Sequence, residues 1–418
     1  MTATIELGRL AFRDYVRPGD FVVWGQGCGE PLSLTETLMG QRRDIGRFSV
    51  FTGLCYSPTA DPQFADAVDF YSYHGGASNR QLGDRLNIVP CHYSQLPAIL
   101  RERCDVLLVQ VSPPNKDGRY SLGLSQDYLI PLIDHARTVI AEVNDQVPWI
   151  ASERTLGDAD IDMAVTTSQP LLEMRSRPPD ATDRAIAEKV AGLIEDGATL
   201  QLGIGALPAA ILHALSDHRH LGIHTGSLFD PAVDLIEAGA VDNSRKGIDD
   251  GVTIAGMLLG TRKLFDFAEH NRQIAMRSSL YTHEVEVLGR IKKFTALNSA
   301  IEVDLTGQIN AEVADGRYIG GVGGAVDFLR GAHRSKGGLP IIALRSRAGG
   351  KSKIVVALSG PVSTSRADAG IIVTEHGIAD LRGQPLHERI KRMIDIAHPD
   401  DRDSLDRHQA SSRISTIS

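Results

Sequence analysis

The stretch "PGDFVVWGQGCGEPLSLTETLM" (residues 18–39) returns in altered form as "EDGATLQLGIGALPAAILHALS" (195–216). Each copy is an acidic residue beside a glycine, an apolar strand, G-x-G, a proline and a helical pattern. Aligning Gly25 with Gly203 and Gly27 with Gly205, both copies run on to a second short strand, "SVFTG" (49–53) in one and "GIHTG" (222–226) in the other. Ordered agreement of strand, loop, helix, strand and Thr-Gly points to an internal duplication. A duplicated α/β unit restricts the fold to two related open sheets, with a ligand between them outside the carboxyl ends of the strands.

The rest of the chain fits that frame. Short apolar runs such as "DVLLVQVS", "PIIALRS", "KIVVALS" and "GIIVTEHG" alternate with helical patterns. Continuous apolar strands bounded by Gly and Pro are the mark of parallel sheets covered on both faces. The fold class is therefore α/β, with two pseudo-symmetric open domains and mostly parallel sheets. The polar, proline-rich "SRPPDATD" (176–183) sets the expected domains at 1–180 and 181–418. A length of 418 residues suits two domains. The Ser-rich tail from about residue 403 is expected to fray.

Composition excludes several classes. A net charge of -8 without a basic patch argues against a nucleic-acid partner. No run is apolar enough for a membrane span, and residues 1–20 hold no signal-peptide core. Cys28, Cys55, Cys91 and Cys104 form no CxxC pair and no ligand spacing to histidine. A reduced, cytoplasmic protein without a metal is expected.

Two glycine loops stand out. In "LGIGALP" (202–208), Gly203 and Gly205 allow tight turning, and free amides there suit an anion or a developing oxyanion. Pro208 stands where a dinucleotide fingerprint would place its third glycine. In "YIGGVGGAVDFLRGAHRSKGGLP" (318–340), the density of glycine costs conformational entropy and implies close approach to the backbone. Among the acids, Glu30 is either a base or ligand-orienting group, or the cap of a helix starting at Pro31. Glu142 and Asn144 sit at a strand end. Glu302 and Asp304 share a strand face, as a paired site or a solvated surface. Glu375 and His376 follow an apolar strand, where structural hydrogen bonding is the ordinary role. No G-x-S-x-G elbow and no HExxH occurs.

Taken in order, "GQGCGEP", "VSPPNKDGRYSLGLSQDY", "AEVNDQVP", "LIEDGATLQLGIGALP", "LGIHTG", "NSAIEVDLTGQINAE", "GGVGGAVDFLRGA", "VTEHGIADLRG" and "IAHPDDR" resemble the acetyl-CoA hydrolase/transferase family, the branch of coenzyme A transferases that includes 4-hydroxybutyrate CoA-transferase. The resemblance spans nearly the whole chain. It implies a ping-pong CoA-transferase in which an active-site glutamate forms an acyl anhydride and then a CoA thioester. It implies an oxyanion hole and CoA contact at Gly203, Ile204, Gly205, Ala206 and Leu207. A second CoA segment is implied at Ile319, Gly320, Gly321, Gly323 and Gly324. Coenzyme A would be a substrate rather than a resident cofactor, and a homodimer fits the class.

The sequence departs from the family at one place. The family's glutamate follows the strand in H-[ST]-E, and here that position is Gly226. Three explanations follow. Another carboxylate, with Glu30 first, takes over. Gly226 makes room for a bulky or dicarboxylic acid such as itaconate, or a hydroxy acid such as 4-hydroxybutyrate, and CoA passes directly from succinyl-CoA or acetyl-CoA. Or the protein binds CoA thioesters without transferring them. An acyl-CoA hydrolase, with water entering at Gly226, is the nearest enzymatic rival.

Overall fold

In the computed structural model, which describes residues 3–411, the first sheet takes its strands from residues 3–167 and the second from residues 199–380. The first holds β1 (Ala3–Ile5), β2 (Phe21–Trp24), β3 (Phe48–Phe51), β4 (Val68–Ser72), β5 (Leu86–Ile88), β6 (Val106–Val111), β7 (Thr138–Asn144) and β8 (Met163–Thr167). The second holds β9 (Thr199–Gln201), β10 (Gly222–Leu228), β11 (Thr253–Leu258), β12 (Ile274–Met276), β13 (Phe294–Asn298), β14 (Leu339–Ala343), β15 (Ile371–Thr374) and β16 (Gly377–Asp380).

Across the first sheet the order is β5-β4-β3-β2-β6-β7-β8-β1, and across the second it is β12-β11-β10-β9-β13-β14-β15-β16. The two orders correspond over seven strands, and the eighth differs, since β1 opens its half and runs parallel to β8 whereas β16 follows β15 and runs against it. All pairs are parallel except β15 with β16. The register repeats as well: Phe21 pairs with Ser49 as Thr199 pairs with Gly222. The duplication read from the sequence therefore holds at the level of single residues, and Gly53 and Gly226 are counterparts.

Burial explains the strand composition. All six residues of "VLLVQV" in β6 are buried, as a strand covered on both faces requires. One apolar cluster runs between the sheets and takes in Val23 and Leu107 from the first with Leu200, Ile223 and Ile341 from the second. Two further clusters cover the outer faces, one for each sheet. The polar segment before residue 181 ends in Asp180, whose carboxylate accepts from the amides of Thr182 and Asp183 and so starts the helix Ala181–Ala191.

The tail departs from expectation. Residues Pro399–Ser411 form a helix, and Leu405 is buried in the outer cluster of the second sheet. A polar sequence hides that single apolar anchor. Residues 412–418 lie outside the described residues. Among the described residues, no helix is long and apolar enough to cross a membrane.

Candidate active site

A cavity of about 410 Å3 opens between the two sheets, at the carboxyl ends of their central strands. Leu54, Tyr56, Tyr73, His74 and Tyr93 come from the first half. Gly203, Ile204, Gly226, Ser227, Met257, His283, Gly321, Gly324 and Phe328 come from the second. The volume lies in the range of about 300–1,000 Å3 usual for small-molecule sites.

Its lining contains no Asp, Glu, Lys, Arg or Cys. Negative charge inside it must be met by neutral donors. The turn after β9 supplies some of them. The N–H groups of Gly203, Ile204 and Gly205 make no hydrogen bond to the described residues. Gly205 has φ +120, open only to glycine, and it caps the helix Ala206–Ala214. The N–H groups before that helix thus stand at the cavity mouth.

The second glycine loop is held by the other half of the molecule. Gly75 donates its N–H to Gly320 O (2.8 Å), and Tyr93 donates its N–H to Gly323 O (3.0 Å). Asp327, in the helix that follows, accepts from the amide (3.0 Å) and hydroxyl (2.7 Å) of Ser94. A Cβ on Gly320 would strike Ala311 O, and one on Gly321 would lie 2.6 Å from Tyr73 O. The close approach inferred from glycine density is therefore made at these positions by the protein's own backbone.

Leu207 and Ile319 lie apart from the first cavity. Both line a second one of about 330 Å3, together with Arg177, Arg345 and Lys353. Ser299 lines both cavities. One is neutral and holds Gly226, and its neighbour carries three cations and Asp183, which pairs with Arg177 (2.9 Å) and Arg345 (2.8 Å).

Beneath the first cavity lies a buried polar network. Gln26 Nε2 donates to Tyr93 Oη (2.5 Å) and to Asp127 Oδ2 (2.6 Å), Tyr93 Oη donates to the same Oδ2 (2.6 Å), and Tyr73 Oη donates to Gln26 Oε1 (3.0 Å). Burial pushes the Asp127 carboxyl above the usual carboxylate range. Gln26 lies in "GQGCGEP" and Asp127 in "SLGLSQDY", and nothing in the spacing of either segment marks them.

The other acids turn away from the cavity. Glu30 is 2% exposed. Its Oε1 accepts from the hydroxyls of Thr35 (2.8 Å), Ser57 (2.9 Å) and Thr59 (2.7 Å). It does not line the cavity, so the structure gives no support to Glu30 as a replacement nucleophile. No residue of its loop (25–31) lines the cavity. Glu142 accepts from the amide and hydroxyl of Ser33, at the start of the helix Leu32–Ile45. Asn144 donates to Gln110. Glu302 and Asp304 are both buried, with separate hydrogen-bond sets around their own turns. Glu375 is held by Ser346. No cluster of three metal-ligating side chains occurs among the described residues.

Gly226 lines the cavity wall, inside β10 rather than at its end. The space beside it is not open. A Cβ there would lie 2.9 Å from His283 Cε1 and 3.0 Å from Nε2. His283 carried no sequence signal at all. Burial holds its imidazole neutral, with a pKa lowered from 6.5 to about 3, and holds His74 down to about 4. The unfolded chain therefore binds these protons near pH 6.5 and the folded chain does not. Stability from these two groups is complete above 6.5 and falls as pH drops towards 3, by at most about 1.4 kcal/mol per pH unit for each. Their imidazole NMR signals should stay at neutral positions from pH 8 to pH 5. A folded-state midpoint near 6.5 would contradict the burial argument.

Comparison with known proteins bears on the whole chain. Residues 11–171 match the acetyl-CoA hydrolase/transferase N-terminal domain, and residues 260–409 match the C-terminal domain. The chain belongs to the acetyl-CoA hydrolase/transferase family. It is 42% identical over 333 residues to a 4-hydroxybutyrate coenzyme A transferase of Clostridium kluyveri, covering 77% of this chain and 76% of that one. It is 38% identical over 345 residues to a succinyl-CoA:acetate/propanoyl-CoA:succinate CoA transferase of Fasciola hepatica, covering 80% and 72%. The crystal structure of RipA from Yersinia pestis superposes with a TM-score of 0.93 at 32% identity, over 98% and 97% of the two chains. An acetyl-CoA hydrolase of Neurospora crassa is more distant, at 24% identity over 90% of this chain and 83% of that one. The kinship is with the family's CoA transferases.

Proposed function

We propose that this protein transfers coenzyme A between an acyl-CoA and a small carboxylate by a direct route, with both acids in the neutral cavity at once. The observation that carries the reading is the absence of any carboxylate from the cavity lining, combined with Gly226 at the position of the family's glutamate. The acceptor carboxylate attacks the thioester carbonyl. The resulting oxyanion collapses, expels CoA thiolate and leaves a mixed anhydride of the two acids. The thiolate then attacks the acceptor's carbonyl, giving the new thioester and releasing the donor as a carboxylate. No enzyme group is acylated. The site contributes proximity, worth up to about 7–11 kcal/mol in well-oriented reactions, and oxyanion donors at Gly203 and Ile204.

In this reading CoA lies across the two cavities. Its thioester enters beside Gly226, its arm passes Gly203–Leu207 and Ile319–Gly324, and its phosphates meet Arg177, Arg345 and Lys353. Guanidinium and ammonium groups suit phosphate oxygens. The acceptor is a small dicarboxylate such as itaconate or a hydroxy acid such as 4-hydroxybutyrate. The donor is succinyl-CoA or acetyl-CoA. The protein is a cytoplasmic homodimer without a bound cofactor.

Kinetics separate the routes. With both substrates varied, initial rates should give intersecting lines, and labelled CoA should not enter acyl-CoA until an acceptor is added. Parallel lines with exchange in the acceptor's absence would restore an enzyme-bound intermediate. Thiol release at one rate with or without acceptor would make the protein an acyl-CoA hydrolase. Tight CoA binding without turnover on any pair would make it a silent binder.

A further inference from the structure

The ring of His283 is held on both faces and at its Nδ1 edge, and it lines the cavity. It follows the short helix Ser279–Thr282 and lies between Tyr93 (4.6 Å between centroids, tilted by 31°) and Phe328 (4.4 Å, tilted by 41°). Its edge lies against the backbone of two glycines. A Cβ on Gly226 would come within 2.9 Å of the ring and one on Gly324 within 2.6 Å. Neither position could carry a side chain without displacing the imidazole. The ring is thus the group that fills the wall where the family's carboxylate would stand.

The tautomer follows from Thr282. Its Oγ1 lies 2.9 Å from His283 Nδ1 and 3.3 Å from Ser278 O. Ser278 O already accepts the N–H groups of Tyr281 and Thr282 (3.0 Å each), which fills both of its lone pairs, so the hydroxyl proton goes to Nδ1. Nδ1 is then the acceptor, and Nε2–H is left facing a cavity whose lining holds no cation. An oxyanion formed there has the Gly203–Ile204 amides and this N–H to receive it.

We infer that His283 is a catalytic residue, whose Nε2–H donates to the thioester carbonyl oxygen as the acceptor carboxylate attacks. This rests on the direct transfer proposed above. In the attack, the new carbon–oxygen bond takes the carboxylate's electron pair, and the carbonyl π pair moves to the oxygen facing His283. Collapse returns that pair and breaks the carbon–sulfur bond. No proton changes hands, so the imidazole stays neutral throughout. A neutral imidazole with a depressed pKa is a known form of electrophilic catalyst. In this chain a side chain at position 226 and the ring of His283 compete for one volume.

Without an acceptor, the direct route leaves bound acyl-CoA intact, so its carbonyl can be observed. Isotope-edited infrared spectra of a carbonyl-labelled acyl-CoA on the wild-type protein should show the stretch shifted below its solution value. His283→Ala should return it towards solution and lower kcat on the order of 10²–10³-fold, with KM for acyl-CoA little changed. His283→Gln, which keeps an N–H, should recover part of kcat. Where His283→Ala does not fold, the wild-type imidazole reports instead, through a downfield move of its Nε2–H proton on adding acyl-CoA. Bound acyl-CoA with an unshifted carbonyl and an unmoved imidazole proton would overturn the role of His283 and leave the transferase reading standing. So would full kcat in His283→Ala. Failure of acyl-CoA to bind would overturn both.

Discussion

Gly226→Glu is expected to destabilise the protein by about 1–3 kcal/mol and to give no covalent CoA adduct, although it restores the family's residue. The new Cβ would sit 2.9 Å from His283 Cε1, and the wall beyond that ring is closed by Tyr93 and Phe328. The carboxylate has nowhere to reach the thioester. Removing the ring should reverse the outcome. The double variant Gly226→Glu/His283→Ala should regain stability over Gly226→Glu alone. With acyl-CoA it should also form a hydroxylamine-sensitive glutamyl-CoA thioester, visible by mass spectrometry. A strong non-additive term is what residues sharing one volume produce. Gly226→Glu that melts like the wild type and forms the adduct by itself would show that the two residues are independent.

Glu30→Ala should be the most damaging single change among the sequence candidates, at about 3 kcal/mol or more. Three buried hydroxyls end on one oxygen of Glu30, and each loses its acceptor. Glu30→Gln keeps an oxygen for them and should cost less. Both effects belong to stability. Measured per folded molecule, the transfer rate should stay near the wild-type value. Urea unfolding and kcat on the same samples separate the two roles. A Glu30→Gln protein of normal stability that has lost transfer would return Glu30 to the chemistry.

These two residues also show what a sequence discloses here. The fold was legible because duplication leaves a pattern that burial then enforces. Strand, glycine turn and helix recur at fixed offsets, and the sheets pair Phe21 with Ser49 and Thr199 with Gly222 accordingly. The turn at Gly203–Gly205 was legible because only glycine tolerates Gly205's backbone. The direction of the Glu30 side chain was not. It depends on Ser57 and Thr59, brought beside it by the path of the chain after β3. His283 was invisible for a related reason. "SLYTHEVEV" has no spacing that marks a site, and the ring matters only through what tertiary packing sets around it.

The shared core beneath the cavity has a consequence for how the molecule comes apart. A single apolar layer, holding Val23 and Leu107 with Leu200 and Ile341, serves both sheets. Either half expressed alone would present that layer to water, and burial at roughly 25 cal/mol per Å2 would be lost over the whole seam. The halves inherited a common ancestry and gave up their autonomy. A cavity set on that same seam draws its walls from both halves, so a change that loosens the seam is felt at the site as well as in stability.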